Sequence, residues 1–416
     1  MMKRFLYILA TGIIALSATA QNISYGEYME RVMSGNISLT AKKLDLEIAD
    51  AGVKASKVHN DPILALTYSN NEDWDKKLGQ GIELELSRSF TFGVRRSRIA
   101  VADSERKQTV ALFEDYMRNF RADATIAYLT HLRARMLYNE TTEIYKELSE
   151  IALGDSIRFI KGDIAESDWL ESRMAQGIAR NGMLDAQAQL TGTAIVLGYY
   201  MGNLNGAELL QGVGTLEIGE KAAPIEYYTE MALSHRADLV VALSRAQTAQ
   251  AIQRFNSATR RPDLNVTIGA TYNRARPDFT TLKAGVAIPL KFSNLNNGAR
   301  ILDEVIVKQS NIAIEEAQLL VEADVMQAYS NFDYASMQAE TFTGKTLDDM
   351  RRVVEAKKKA YELGEVSFIE YLVVERNESE MRREYIEALY NKAVAWVELQ
   401  RATGFSLKFG TMPIAE

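Results

Sequence analysis

Between Val94 and Gly202 the chain contains no proline, and its apolar positions recur with a helical period. Phe113, Phe120, Ala127 and Ala134 stand seven residues apart, and so do Met117, Ala124, His131 and Tyr138. Two such rows side by side make a coiled-coil-like seam. The clearest break is Phe159-Ile160-Lys161-Gly162-Asp163, so the stretch reads as one helical hairpin with its tip at Gly162. At about 1.5 Å per residue the outgoing helix rises roughly 100 Å and the returning one roughly 55 Å. Helices of that length need partners along their whole extent.

The flanking segments change period. Ile23 to Asn60 reads as helix, with Leu44, Ile48, Ala51 and Ala55 on one face, and Pro62 stops it. Two alternating runs follow, at 63–69 and 81–90. Leu64, Leu66 and Tyr68 share one face, and Ile82, Leu84 and Leu86 alternate with Glu83, Glu85 and Ser87. The connection from Ser69 to Gln80 is polar and carries Trp74. Such a pair is either a soluble hairpin with one wet face or two barrel strands, apolar to lipid and polar to the lumen. Arg95, Arg96 and Arg98 crowd the start of the long helix, against its dipole. Something else must favour them, either anionic headgroups or solvent. After Gly202, residues 203–223 are glycine-rich and aperiodic and read as a linker. Pro224 opens a helix through Ala232, Leu239, Val240 and Leu243 toward Arg260.

From Leu239 the chain repeats itself. Leu39 stands as far before Pro62 as Leu239 does before Pro262. New alternating runs follow at 263–273 and 281–291, in which Val266, Ile268, Leu282 and Val286 fall on apolar faces. With Leu84, Val266 and Val286 read as the central positions of these faces. Gly298-Ala299-Arg300 answers Gly93-Val94-Arg95, and Glu362-Leu363-Gly364-Glu365-Val366 answers Ile160-Lys161-Gly162-Asp163-Ile164. Gly364 precedes Gly404 by the same distance as Gly162 precedes Gly202. The chain therefore divides into a first repeat over 21–202, the linker, a second repeat over 224–404 with its tip at Gly364, and a tail over 405–416. Each repeat is helix, strand, strand, long helix and returning helix. Four strands cannot close a membrane barrel alone, since the smallest use about eight. Several copies, each giving its strands, would close one and hide every edge.

Composition narrows the chemistry. Lys3 and Arg4 precede the apolar run Phe5 to Leu16, and Ala18-Thr19-Ala20 stands before Gln21, which is the layout of a secretory signal peptide over 1–20. No later stretch approaches the length of a transmembrane helix. The net charge of −7, without a dense basic cluster, argues against a nucleic-acid partner. The absence of cysteine excludes thiol nucleophiles, thiolate metal sites and disulfides. His59, His131 and His235 are too scattered for a metal-ligand spacing, and His131 falls in the seam. Gly79-Gln80-Gly81 lacks the third glycine of a dinucleotide fingerprint. No catalytic residue, cofactor or metal site is expected. Two carboxylates stand out by symmetry, since Asp168 lies as far past Gly162 as Glu370 lies past Gly364. They read either as helix-start acids complementing the dipole or as acidic rings of a symmetric assembly.

The duplicated unit, the strand entries at Pro62 and Pro262, and Ala232-Leu233-Ser234-His235-Arg236-Ala237-Asp238-Leu239 together resemble the TolC family of outer-membrane efflux ducts. The run from Ala360 to Leu372 is similar to that family's second periplasmic tip. The resemblance implies a mostly helical protein with membrane β-structure, a homotrimer with a twelve-stranded barrel in the outer membrane, continued by an α-helical barrel across the periplasm. It implies outer-membrane lipid, a periplasmic adaptor and an inner-membrane pump as partners. The turns Gly162-Asp163-Ile164 and Gly364-Glu365-Val366 would then dock the adaptor, and Asp168 and Glu370 would form lumen acidic rings. The match is incomplete. Val366 stands where the family can carry a basic residue and Val373 where it can carry a further acid, so any closing network here is built differently. Efflux of small molecules or metal ions is the function implied. The same architecture serves type I protein secretion, and a soluble periplasmic coiled-coil scaffold is the rival from another class.

Overall fold

The long proline-free run folds as α3 (Val94–Lys161) and α4 (Glu166–Met201), antiparallel neighbours joined at Gly162. The computed structural model describes residues 21–72, 77–218, 223–273, 280–295, 297–342 and 344–404. The stretch read as a signal peptide, the tail and Trp74 lie outside them. α3 is the spine of the molecule, since α2 (Ile37–Ser56), α4, α6 (Ala237–Thr259) and α9 (Phe368–Ala402) all lie against it. Its seam rows are buried at Phe120, Ala124, His131 and Ala134, while Phe113, Met117 and Ala127 are partly buried against the same core. Across the molecule Phe332 of α7 (Gly298–Thr341) meets Trp396 of α9 at 5.0 Å between ring centroids.

Both repeats begin with a broken helix where one continuous helix is expected. α1 (Tyr25–Gly35) gives way to α2 at Asn36, and α5 (Ile225–His235) to α6 at Arg236. The two breaks have nearly the same backbone, φ −68° and ψ 124° at Asn36 and φ −68° and ψ 126° at Arg236. Asn36 caps α2 by accepting from the Leu39 amide at 2.9 Å and donates to the Tyr200 carbonyl at 2.8 Å. Arg236, almost fully buried, donates to Asp238 and to Asp324 of α7, the latter at 2.9 Å, and to the Ala402 carbonyl at 3.3 Å. Each break lies against the end of a returning helix. A Cβ at Gly202 would collide with the Gly35 carbonyl, and one at Gly404 would come within 3.1 Å of Arg236 Cα. Both glycines also have positive φ, 73° and 70°. The face Leu44, Ile48, Ala51 and Ala55 of α2 is exposed; Asp45, Leu46, Ala49 and Val53 are the more covered positions.

The segment read as a linker is partly ordered into the core. Gln21–Ser24 (β1) pairs in parallel with Leu210–Val213 (β4), after a 3-10 turn at Ala207–Leu209. Strands this short cannot display a period. They are held from below by Tyr128, whose hydroxyl donates to the Ile23 and Val213 carbonyls at 3.0 and 2.7 Å, while Arg135 donates to the Gly212 carbonyl.

The remaining strands form one antiparallel sheet in the order β2 (Ile63–Glu72), β3 (Lys77–Phe90), β5 (Leu264–Asn273), β6 (Thr280–Ala287). β2 and β3 run through most of the connection expected between them, whereas β6 stops at Ala287. Register places Leu66, Leu84, Ala270 and Leu282 in one cross-strand row, flanked by the row Leu64, Leu86, Ile268 and Ala284. Thr67, Glu83, Thr271 and Thr281 fall on the opposite face, where Lys283 reaches Glu83 at 2.7 Å. Val266 and Val286 are not central, since they pair in the row of Arg88 near the helical end of the sheet.

That end carries the basic cluster. Arg95 donates to the Lys57 carbonyl at 2.8 and 2.9 Å, and Arg98 to the Ser56 and Val58 carbonyls at 3.1 and 2.5 Å. What favours Arg95 and Arg98 is the carbonyl end of α2, whose negative pole offsets their cost at the start of α3, while Arg96 is exposed. In the second repeat Lys291 does the same for α6, reaching the Thr259 and Arg261 carbonyls at 2.7 Å. That repeat differs in one further respect: its outgoing helix is divided into α7 and α8 (Gly344–Glu362).

Arg236→Ala removes the donor shared by α6, α7 and α9 and leaves Asp238 and Asp324 facing one another. Because both carboxylates are partly exposed, the expected loss sits at the low end for a broken buried pair, about 3 kcal/mol. It is read as a lowered urea midpoint with an unchanged slope.

Candidate functional site

The two hairpin turns are built alike. Gly162 and Gly364 take φ of 80° and 77°, which an L side chain adopts only under strain. At the first, the amides of Gly162 and Asp163 donate to the Phe159 and Arg158 carbonyls, both at 2.9 Å. At the second, those of Gly364 and Glu365 donate to the Tyr361 and Ala360 carbonyls at 3.0 and 2.9 Å. This double closure satisfies the helix's last carbonyls and reverses the chain in one step. Nothing lies within 4 Å of a Cβ built on Gly162, so backbone angle and not space requires glycine there. Asp163 and Glu365 are exposed, Ile164 and Val366 half-buried. Beside them Ile160 and Leu363 are 80% and 75% exposed, an apolar cap on each tip.

Asp168 and Glu370 occupy matching places with different surroundings. Both lie in the first turn of a returning helix. Glu370 is exposed; its amide donates to Ser367 Oγ at 3.3 Å and its carboxylate meets Lys357 at 3.4 Å. Asp168 is half-buried and close enough to bear on the Tyr361 hydroxyl of the other hairpin. The two acids are not brought together within one chain.

What joins the hairpins is a pair that sequence reasoning did not single out. Tyr361 of α8 donates to both oxygens of Asp155 of α3 at 2.6 Å. Asp155 is buried, Arg158 stands 3.6 Å from it, and the Arg158 guanidinium lies 5.5 Å from the Tyr361 ring centroid. Burial, then the bond to Asp155, holds the Tyr361 hydroxyl well above the usual phenol range, so it is a donor at every physiological pH. A signal did exist. Leu148, Ile151, Ala152 and Asp155 form one buried row of α3, and the aspartate is the polar member of an otherwise apolar series. Around this pair Leu148, Ile151, Ala175, Val354, Phe368 and Tyr371 make a second core at the tips.

No metal or catalytic centre accompanies it among the described residues, where no group of three or more histidine, aspartate or glutamate side chains is placed to hold a metal ion. His131 is fully buried, with Nδ1 3.0 Å from Thr193 Oγ1, and burial followed by Arg135 pushes it down to about 4. It is a neutral packing residue at neutral pH. No helix among the described residues is long and apolar enough to cross a membrane.

Tyr361→Phe keeps the ring packing and deletes the hydroxyl, leaving Asp155 with Arg158 alone. A hydrogen bond to a buried carboxylate is worth about 1.5–3 kcal/mol, so amides near both tips are expected to exchange about tenfold faster or more. Unchanged exchange would mean that the hydroxyl does not hold the hairpins.

Residues 229–405 match the sequence model of the family described as outer membrane efflux protein. No curated protein sequence matches the chain. Among solved structures, the chain superposes on CusC, described in connection with transmembrane channel formation, with a TM-score of 0.76 at 15% identity, covering 91% of each chain. It is similar to the Campylobacter jejuni CmeC outer membrane channel with a TM-score of 0.74 at 15% identity over 91% of this chain and 85% of that one. It is likewise similar to the Vibrio cholerae outer membrane protein VceC, with 0.74 at 14% over 91% and 96%. At these identities the superpositions speak for the fold. That fold runs across both repeats, and the family's sequence pattern runs through the second, including Arg236, Tyr361 and Gly364. The sequence pattern of the outer membrane efflux protein family thus covers residues 229–405, and the fold of the channels named above covers both repeats.

Proposed function

We propose that this chain is the outer-membrane channel of a tripartite efflux pump, a passive duct that makes and breaks no bond. The observation that carries this reading is the sheet. Its Leu66, Leu84 and Leu282 face is exposed along its length, Leu282 at 83%, while Glu83, Glu85 and Lys283 line the other face. β2 and β6 are edge strands, each with one row of backbone groups unpaired within the chain. A single chain in water has no use for such a surface. Three chains, with β6 of one pairing β2 of the next, would close twelve strands with lipid outside and water inside, and no edge would remain.

The helices support the same assembly. Leu44 and Ile48 of α2 and Ile301, Val305 and Ile312 of α7 are exposed in the single chain, and neighbouring copies would cover them. The helical portion would then extend through the periplasm, ending at Gly162-Asp163-Ile164 and Gly364-Glu365-Val366. Their exposed apolar caps suit docking by a periplasmic adaptor, with an inner-membrane pump supplying the gradient. Small molecules or metal ions are the cargo this reading assigns. Near that narrow end Asp168 and Glu370 would each recur three times, giving a negative constriction that favours cations.

Arginine in the mid-sheet row tests the barrel. Leu84→Arg and Leu282→Arg should each cost about 2–4 kcal/mol at the bilayer midplane and deplete heat-modifiable trimers from the outer-membrane fraction. Parent-like assembly of both would sink the barrel assignment. Planar-bilayer conductance tests the duct. Glu370→Ala should lower cation preference by more than Glu387→Ala, whose carboxylate is already engaged by Arg133 at 2.8 Å. Selectivity that survives Asp168→Ala with Glu370→Ala would move the selective element elsewhere.

A further inference from the structure

Further from the tips, the seam between α3 and α9 carries charge where apolar packing is expected. Phe368, Tyr371, Glu375, Ser379 and Ile386 follow one another on the inner face of α9, all buried, and Glu375 is only 5% exposed. The acids whose charge bears on Glu375 are Glu147 and Glu140 of α3 and Glu378 of its own helix. Arg382 of the same helix is engaged with two other acids, pairing with Glu140 at 3.3 Å and with Glu378 at 2.5 Å. A cavity of about 470 Å³ lies alongside, with Ala175, Ile178, Ala179 and Gly182 from α4, all uncharged, and Arg376 and Arg383 from α9 in its wall. α8 contributes Val354 and Tyr361 to the same packing, and Glu362 bears on Tyr371.

A second observation points to the same spot. Tyr371 is wholly buried, its hydroxyl has no hydrogen-bond partner, and Glu147, Glu375 and Glu378 are the acids that bear most on it. A buried phenol among carboxylates that it does not engage marks a site whose proton inventory is incomplete. Burial first, then Glu147, Glu378 and Glu140, pushes the Glu375 carboxyl up to about 7. Desolvation and like charge act in one direction here, so the neutral acid is the form that fits the seam.

We propose that Glu375 is a proton-binding site in the α3–α9 seam, protonated while the two hairpins are packed together and ionised when they part. The chemistry is one equilibrium, in which the carboxylic acid O–H breaks and the proton passes to periplasmic water through the adjoining cavity. Its effect on channel closure rests on the duct reading above; the site itself does not. The packed seam binds more protons than the parted one, so acid favours packing. As pH rises from the ordinary carboxylate range, near 4.5, to about 7, that preference is progressively lost, and above it nothing further changes.

The test is hydrogen exchange of the full-length assembled protein, corrected for the chemical rate at each pH, over residues 368–380. At pH 8 the parent should exchange about fivefold faster or more than Glu375→Gln, which mimics the protonated acid; at about pH 4, below the ordinary carboxylate range, the two should agree. Glu147→Gln removes one repelling charge and should move the parent's midpoint to lower pH without a change in fold. A parent-to-Gln ratio that is the same at both pH values, or a midpoint unmoved by Glu147→Gln, overturns the proposal. The same preparations in planar bilayers keep the two readings apart. Absence of conductance from every variant counts against the duct, whatever the exchange shows; a conductance that rises with pH in the parent and not in Glu375→Gln joins them.

Discussion

Everything in this molecule depends on one helix remaining unbroken. α3 runs for 68 residues without proline, and the only glycine inside it, Gly154, lies in open space. A helix of that length is not stable alone in water and is held by what lies along it. Different neighbours serve different stretches of it: α2 at the sheet end, the Tyr128 shelf of β1 and β4 midway, and α4, α8 and α9 toward the tip. The second repeat has no equivalent spine, because its outgoing helix is divided between α7 and α8. The duplication is therefore one of topology, with the mechanical roles distributed unequally.

Much of this was legible in the chain. Long-range periodicity revealed α3 and α4, and proline and alternation revealed the sheet, because these signals are repeated many times over. The turns at Gly162 and Gly364 were legible because a positive φ leaves few choices of residue. Short features escaped. β1 and β4 have four residues each, too few for a period, and Gly212, one of the glycines that made this stretch read as a linker, lets β4 lie close to His131. The break at Arg236 escaped because arginine is a good helix former, held there only by Asp238, Asp324 and the Ala402 carbonyl; that at Asn36 had a local signal, a favoured N-cap after Gly35, which the helical reading passed over.

The site divides the same way. Its turns could be named from sequence, but the residues that hold them could not. Asp155 and Glu375 are acids among many acids, distinguished only by lying in buried rows of α3 and α9. Asp168 and Glu370 attracted notice through their symmetry, yet one bears on Tyr361 and the other is engaged by Ser367 and Lys357. Repeat symmetry identifies equivalent positions along a chain. It does not make their environments equivalent once α3 and α8 differ in length.

The arginine clamp at the sheet end has a mechanical consequence. Arg95 and Arg98 place four hydrogen bonds on three successive carbonyls where α2 ends, Ser56 to Val58, from the first turns of α3, while Lys291 does likewise at the end of α6. Two helices entering and leaving a sheet through such joints behave as a welded bracket, since a twist of either helix must break several charged bonds at once. Torque applied at the far end of the hairpins cannot be relieved at this corner. It would have to be taken up along the shafts, where the helices are joined by side-chain packing instead. The opposite end of the molecule is held differently, by the Tyr361–Asp155 bond and a small apolar core rather than by a clamp of charged bonds on carbonyls.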